Sequence, residues 1–273
     1  TRGNIAQMVR DDDTDYTIVG LRILETYGLD FTPADVANFW LEHLPFRQVY
    51  TAERMAYRNF VNGIMPPLSA TYRNPYREWI GAQIRADSWG YAAPGWPEKA
   101  AEFAWRDASI SHVKNGIYGE MWAAAMIAAA FATDDPEEII EIGLSEIPQR
   151  SRLAEAIRSV LQWHDEGLDW LAAWERINEA YGVYHWVHTI NNACIVALAL
   201  LWGEGDFGRT ISIAVMGGWD TDCNGATVGS ICGAMLGAKA LPQDPWIAPL
   251  NDTINSFVLG EQHNKISDLA RRS

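Results

Sequence analysis

The feature that most constrains the fold is a nearly unbroken series of segments with the hydrophobic period of an α-helix. The segment DYTIVGLRILETYG places Ile18, Leu21 and Leu24 on one face. It is followed by Gly28, a residue type common just after helices. FTPADVANFWLEHLP begins at Thr32, a typical N-cap, and further helical segments follow at short intervals. Since no run alternates with the period of two typical of strands, the sequence predicts an all-α fold.

The chain is expected to form one domain. It has 273 residues, 48% of them hydrophobic, and the 13 tryptophans supply large side chains for a core. Neither a low-complexity linker nor a repeat of fixed period divides the sequence. We therefore predict a compact single-domain multi-helix bundle over residues 1–273. The chain opens on Thr1 rather than Met, so further residues are expected upstream.

Charge and cysteine content narrow the partners and the compartment. The formal net charge is −14, which repels nucleic acid and anionic membrane surfaces. The longest apolar stretch is too short to span a bilayer. The three cysteines, Cys194, Cys223 and Cys232, form no CxxC pair. We predict reduced thiols, a cytoplasmic location and no nucleic-acid or membrane partner.

Two acidic segments stand at predicted helix starts. In GGWDTDCNGATVGSICGAMLGA, Asp220 and Asp222 precede a helix of small residues, whose glycines recur every fourth position and predict close backbone packing. The other segment is RDDDTDYT, in which four aspartates crowd five positions. Taken alone, the second is open to being a solvated helix start. Taken together, the two segments predict a site for magnesium, manganese or calcium, which prefer carboxylate oxygens.

These two segments resemble the metal motifs of the ADP-ribosylglycohydrolase family. Asp11-Asp12-Asp13-Thr14 is similar to its first motif, Thr-Asp-Asp-Ser/Thr, and Gly217 to Cys223 is similar to its second, Gly-Gly-Asp-x-Asp-Thr. The resemblance implies an orthogonal all-α bundle with one or two Mg²⁺ or Mn²⁺ ions in a cleft. It also implies hydrolysis of an ADP-ribosyl or related bond. Three departures are that Asp11 and Cys223 replace threonines, Trp219 is inserted, and no upstream glutamate precedes Asp11.

The resemblance also assigns roles to residues along the chain. The expected metal ligands are Asp11, Asp12, Asp13, Asp220, Asp222 and Cys223, of which Asp12, Asp13 and Asp222 are also predicted to be catalytic. The expected substrate contacts are Arg85, Trp89, Ser111, His112, Asn115, Tyr118, Gly119, His188, Trp219 and Asn224. For His112 a packing role stays open. The stretch 63–95 is predicted to be an ordered surface loop, whose aromatic residues either pack on the core or form a lid.

The predicted activity is hydrolysis of an ADP-ribosyl, ribosyl or glycosyl bond by a metal-activated water, with a small-molecule or ADP-ribosylated substrate. Two alternatives stay open. One is a module that binds ADP-ribose or a nucleotide without catalysis. The other is an N- or O-glycosidase acting on small molecules of specialised metabolism.

Overall fold

The computed structural model describes residues 3–273, so the first two residues of the predicted domain lie outside the described part. The α-helices, numbered in chain order, are α1 Asp12–Tyr27, α2 Pro33–His43, α3 Thr51–Val61, α4 Asp87–Tyr91, α5 Pro97–Ala108, α6 Asn115–Ala129, α7 Pro136–Ser145, α8 Arg152–Asp165, α9 Trp170–Tyr181, α10 Thr189–Gly203, α11 Phe207–Met216, α12 Thr221–Leu236 and α13 Ile266–Arg272. Two short strands, β1 Ile254–Asn255 and β2 His263–Asn264, pair antiparallel near the C-terminus. The all-α prediction is confirmed.

The helices begin where their capping residues predict. Asp11 is the N-cap of α1, and its side chain accepts a hydrogen bond from the Asp13 N–H. Thr32 and Asp35 form a reciprocal capping box at the start of α2, which satisfies two backbone donors that a helix start leaves free. Gly28 follows α1 with a φ of 71°, a conformation that glycine adopts without steric cost. Local sequence therefore sets these helix ends.

Two apolar helices form the centre of the bundle. Every residue of α10 is buried, and all but a few of α6 are buried too. Helix α6 packs mainly on α5, whereas α10 packs on α8, α9, α11 and α12. A helix that is apolar all round needs neighbours on every side, which explains why these two are surrounded. Between residues 3 and 273, no helix has both the length and the hydropathy to cross a membrane.

The predicted surface loop over 63–95 is confirmed only in its first part, because most residues from 63 to 79 are exposed or half-buried whereas the second part packs into the core. The stretch contains 3₁₀ turns and the short helix α4, and residues 80–86 are all buried. The Trp89 side chain is only 1% exposed and stacks on Phe31 with ring centroids 4.9 Å apart. Gly90 lets α4 approach α6, because a Cβ there would lie 2.5 Å from the Ile127 side chain. Burial of these apolar groups outweighs the local turn preferences.

The glycine row of α12 does not serve close packing within the chain, so that prediction is wrong. A Cβ at Gly233 would meet nothing within 4 Å. At Gly225 and Gly229 it would lie 3.5 Å and 3.8 Å from side chains of α11, which is ordinary contact. The row is half-buried and lies on the outer side of the helix.

Candidate functional site

The two acidic segments meet at one cavity, although more than 200 residues separate them in the sequence. The cavity has a volume of about 310 Å³. Its lining residues are Asp12, Tyr50, Thr51, Glu53, Trp79, Ile80, Gly81, Ile84, Trp186, Val187, Asp220, Asp222 and Cys223. The start of α1 and the start of α12 thus face the same space, as expected if both hold one ligand.

Side chains of α1 and α12 come within metal-sharing distance of each other. One oxygen from Asp13, one from Asp222 and the Cys223 sulfur all lie within 4.8 Å of one another. The three aspartates Asp11, Asp12 and Asp13 form a second such group. The Cys223 thiol lies 3.7 Å from Asp13 Oδ2. The predicted ligands are therefore brought together in space.

Burial and mutual repulsion disturb the protonation of these carboxyl groups. Burial, followed by the charge of Asp11, raises the pKa of Asp12 to about 6. Burial and the neighbouring Asp222 raise the pKa of Asp220 to about 7. The pKa of Asp13 lies well above its usual range, mainly through burial, and its Oδ1 is buried without a hydrogen-bond partner. A divalent cation would offset the repulsion between these carboxylates and give the buried Asp13 Oδ1 a partner. The donor set therefore fits a hard metal ion, apart from the thiol of Cys223.

A buried amide holds the second acidic segment in place. Asn192 Oδ1 accepts hydrogen bonds from the Asp220 N–H at 3.1 Å and from Asn224 Nδ2 at 2.8 Å. Asn192 Nδ2 donates to the carbonyl oxygens of Trp186 and His188, at 2.8 Å and 2.9 Å. One side chain of α10 therefore fixes both the start of α12 and the segment before α10.

Glu53 of α3 is a cavity residue that the sequence analysis missed. Its side chain is buried, and burial raises its pKa to about 7 despite the nearby Arg85. Arg85 Nη1 donates to Glu53 Oε1 at 2.9 Å, and Thr51, at a strained φ of 38°, donates to Oε2 at 3.3 Å. Gly81 leaves room for the carboxylate, since a Cβ there would lie 2.0 Å from Oε1. Nothing in the local sequence TAERMAYRNFV distinguishes this glutamate from an ordinary helical one.

Arg85 supports Glu53 from behind and does not line the cavity, which corrects its predicted role. The side chain is 2% exposed, and its Nε donates to Asp107 Oδ2 at 2.6 Å. Both Nη atoms donate to Ser111 Oγ at 3.2 Å, so Ser111 is also buried behind the cavity. With three acidic partners within 3.6 Å, including Glu120, this guanidinium has no free side for a substrate.

His112 is a packed residue, as the alternative to substrate contact allowed. It is fully buried, with Nδ1 hydrogen-bonded to Ser111 Oγ at 2.8 Å. Its Nε2 lies 3.9 Å from Glu53 Oε1. Burial and the charge of Arg85 hold the pKa of His112 well below its usual value, so the ring is neutral. His112 therefore packs behind the cavity next to Glu53 without a hydrogen bond to it.

The remaining predicted substrate contacts also lie outside the cavity lining. Trp89 belongs to the core. Asn115 donates to Glu78 Oε2 and accepts from the Leu153 N–H, and a Cβ on Gly119 would meet the Thr189 side chain. Tyr118 and Trp219 are half-buried against the core. His188 Nδ1 caps α10, and Asn224 donates a hydrogen bond to Asn192. Tertiary packing, which local motifs do not reveal, occupies these side chains.

Aromatic side chains form the other half of the cavity. Trp79 and Trp186 come from two segments that pair antiparallel: the Ile80 N–H donates to Val187 O at 2.8 Å, and the Thr189 N–H donates to Glu78 O at 3.2 Å. Trp186 is 54% exposed. The cavity thus combines a carboxylate side with an aromatic side.

Comparison with known proteins agrees with the fold. The all-α fold and the carboxylate-lined cavity define a helical scaffold built around an acidic site. A family model described as ADP-ribosylglycohydrolase matches residues 9–272, and the chain therefore belongs to the ADP-ribosylglycohydrolase family. Among 35 matching chains of solved structures is an "ADP-ribosylglycohydrolase-related protein complex". Its TM-score is 0.63 at 20% identity, over 88% of this chain and 75% of that one, which establishes the fold alone. A search of curated proteins finds no match.

Proposed function

We propose that the protein is a divalent-metal-dependent glycohydrolase that cleaves a ribosyl or glycosyl bond. Family membership supports a glycohydrolase-type function, and the family is generally divalent-metal dependent. The observation that carries the proposal is the convergence of Asp12, Asp220, Asp222 and Glu53 from three helices on one cavity. Acidic groups suit this reaction because its transition state resembles a positively charged oxocarbenium ion.

Mg²⁺ or Mn²⁺ is the proposed ion, held by Asp12, Asp13, Asp220 and Asp222. When bound, it supplies Lewis acidity toward substrate hydroxyls and water. The unpartnered Oδ1 of buried Asp13 supports a ligand role, because a buried polar atom without a partner costs free energy. Asp11 caps α1 with its side chain, so we place it at the edge of the ligand set.

Glu53 is the proposed proton acceptor for the attacking water. Its carboxylate reaches the cavity, and its oxygens are fixed by Arg85 and Thr51. A general base works best when its pKa lies near the working pH, and burial raises the pKa of Glu53 to about 7.

Activity and metal binding of matched variants test the proposal. Mg²⁺ and Mn²⁺ binding is measured by calorimetry, and turnover is measured with ADP-ribosylated peptide, nucleosides and aryl glycosides. We expect Asp222→Asn to lose metal binding and turnover, and Glu53→Gln to lose turnover while keeping metal binding. Asp30→Asn, at an exposed acid beyond the C-terminal end of α1, is the control. Full turnover in both site variants would refute the proposal.

One observation favours the alternative of a non-catalytic binding module. A thiol is a poor magnesium ligand, and the Cys223 sulfur stands among the carboxylate ligand atoms. Ligand binding without turnover of any substrate would support that alternative. The cytoplasmic location and the exclusion of nucleic-acid and membrane partners stay predictions from charge and cysteine content.

A further inference from the structure

The aromatic side of the cavity provides flat surfaces without a formal charge. Trp79 stacks on His185 with ring centroids 4.4 Å apart and an interplanar angle of 11°, which fixes its ring. Trp186 and Tyr50 line the same cavity and are 54% and 43% exposed, and the Arg54 guanidinium lies over the Tyr50 ring at 5.4 Å from its centroid. Aromatic rings arranged in this way stack on nucleobases and other flat rings.

The cavity lining contains no lysine or arginine within the described residues 3–273. Three guanidinium groups close to lining residues are already engaged. Arg85 is surrounded by acids behind Glu53. Arg54 lies over the Tyr50 ring but donates to the carbonyl oxygens of Val49 and Arg47, and Arg10 pairs with Asp15 at 2.8 Å. A diphosphate group therefore finds no free cationic side chain here, although such groups are normally bound by arginine or lysine.

Bound metal ions would not reverse this charge balance. Four carboxyl groups line the cavity, from Asp12, Glu53, Asp220 and Asp222. Two divalent ions would neutralise four carboxylates and leave no excess positive charge for a phosphate. The start of α3 offers roughly half a positive charge, but Glu53 occupies its first turn.

We infer that the substrate is an unphosphorylated glycoside of nucleoside type, with a flat aromatic aglycone against the exposed ring of Trp186 and its sugar toward the carboxylates. This inference rests on the proposed glycohydrolase function. A cavity of about 310 Å³ lies at the small end of the range for small-molecule sites, which suits a single ring system joined to one sugar. A neutral or cationic aglycone also matches the acidic lining, whereas an ADP-ribosyl group brings two negative charges.

Binding measurements test the inference independently of catalysis. Adenosine, its 5′-monophosphate and ADP-ribose carry the same base, the first without charge and the other two with about two negative charges each near pH 7. Each is titrated in Mg²⁺ by calorimetry and tryptophan fluorescence. We expect adenosine to bind at least tenfold more tightly than ADP-ribose. Trp186→Ala should weaken adenosine binding by roughly fivefold or more, given the usual contribution of base–aromatic stacking. Trp105→Ala removes a comparably exposed tryptophan outside the cavity and should change nothing.

Three results of the binding experiment would overturn the inference. These are ADP-ribose binding as tightly as adenosine, unchanged adenosine affinity in Trp186→Ala, and binding of none of the three probes by protein that still binds metal.

Turnover of a second pair of probes separates this inference from the proposed function. Nicotinamide riboside and the oxidised nicotinamide dinucleotide contain the same nicotinamide N-ribosyl bond, but the dinucleotide carries an additional ADP group with its diphosphate. Cleavage of the riboside with at least a tenfold higher kcat/KM supports both proposals. Faster cleavage of the dinucleotide overturns the inference and leaves the glycohydrolase function standing. The expected adenosine binding without turnover of either probe supports the inference and counts against the proposed function.

Discussion

Replacement of Glu53 by glutamine should change how the stability of the protein depends on pH. The folded-state pKa of Glu53 is about 7, against an ordinary value of 4.5, and burial is the main cause. A carboxyl group with a raised folded-state pKa binds its proton more tightly in the native state. Its contribution to stability is therefore complete below pH 4.5 and is lost as the pH rises toward about 7.

The size of the effect follows from the shift. Each pKa unit corresponds to about 1.4 kcal/mol, so the rise from 4.5 to about 7 represents about 3 kcal/mol of unfolding free energy. Because the side chain is fully buried, solvent screening does not reduce this value. Glutamine has nearly the same shape and no titration, so the wild type should lose about 3 kcal/mol relative to Glu53→Gln between pH 4.5 and 7.5.

Urea unfolding measured in chelator across this pH range provides the assay. Glu98→Gln, at an exposed glutamate in the first turn of α5, is the matched control and should run parallel to the wild type. A difference between the wild type and Glu53→Gln that stays constant with pH would show that Glu53 is not a buried titrating group, and the argument for its role as a base would fail.

Three further predictions concern the support of the site. Asn192→Ala removes a buried amide with four hydrogen bonds and should lower the free energy of unfolding by about 3 kcal/mol in urea titrations. It should also lower the affinity for Mg²⁺ measurably. Unaltered metal affinity would contradict the role of Asn192 in holding the site. Gly81→Ala should displace the carboxylate of Glu53 and reduce kcat far more than it affects ligand binding. Gly233→Ala is the control, because the space around its Cβ is open. It should raise the free energy of unfolding by about 0.5–1 kcal/mol and leave kcat unchanged. Mg²⁺ at one hundred times its Kd should raise the free energy of unfolding by about 2.7 kcal/mol, a gain that chelator reverses and that Asp222→Asn lacks.

The sequence predicted the fold well because helix signals are local. Hydrophobic period, capping residues and the Thr32–Asp35 box depend on neighbours within a few positions, and the structure contains each of them. Pairing the acidic starts of α1 and α12 rests on their shared suitability for a divalent cation and on the family resemblance, because no local property shows that residues 12 and 220 face the same cavity.

The rest of the site depends on tertiary packing. Glu53 acquires its properties from Arg85 and Gly81, which lie about thirty residues further along the chain. Arg85 matches a motif position, yet burial turns it toward acids instead of substrate. Trp89 lies in a segment rich in turn-forming residues, and its location in the core follows from contacts with α1, α5 and α6 that a single sequence does not reveal.

The position of Asn192 has a consequence for how the two sides of the cavity respond to ligands. Its amide oxygen holds the backbone of Asp220, and its amide nitrogen holds the carbonyl oxygen of Trp186. Ordering of either partner restricts the same rotamer, so an ion and an aglycone should each increase the affinity for the other by the same factor. With such reciprocity, the unliganded protein binds the ion alone or the aglycone alone weakly, and it binds the two together more tightly.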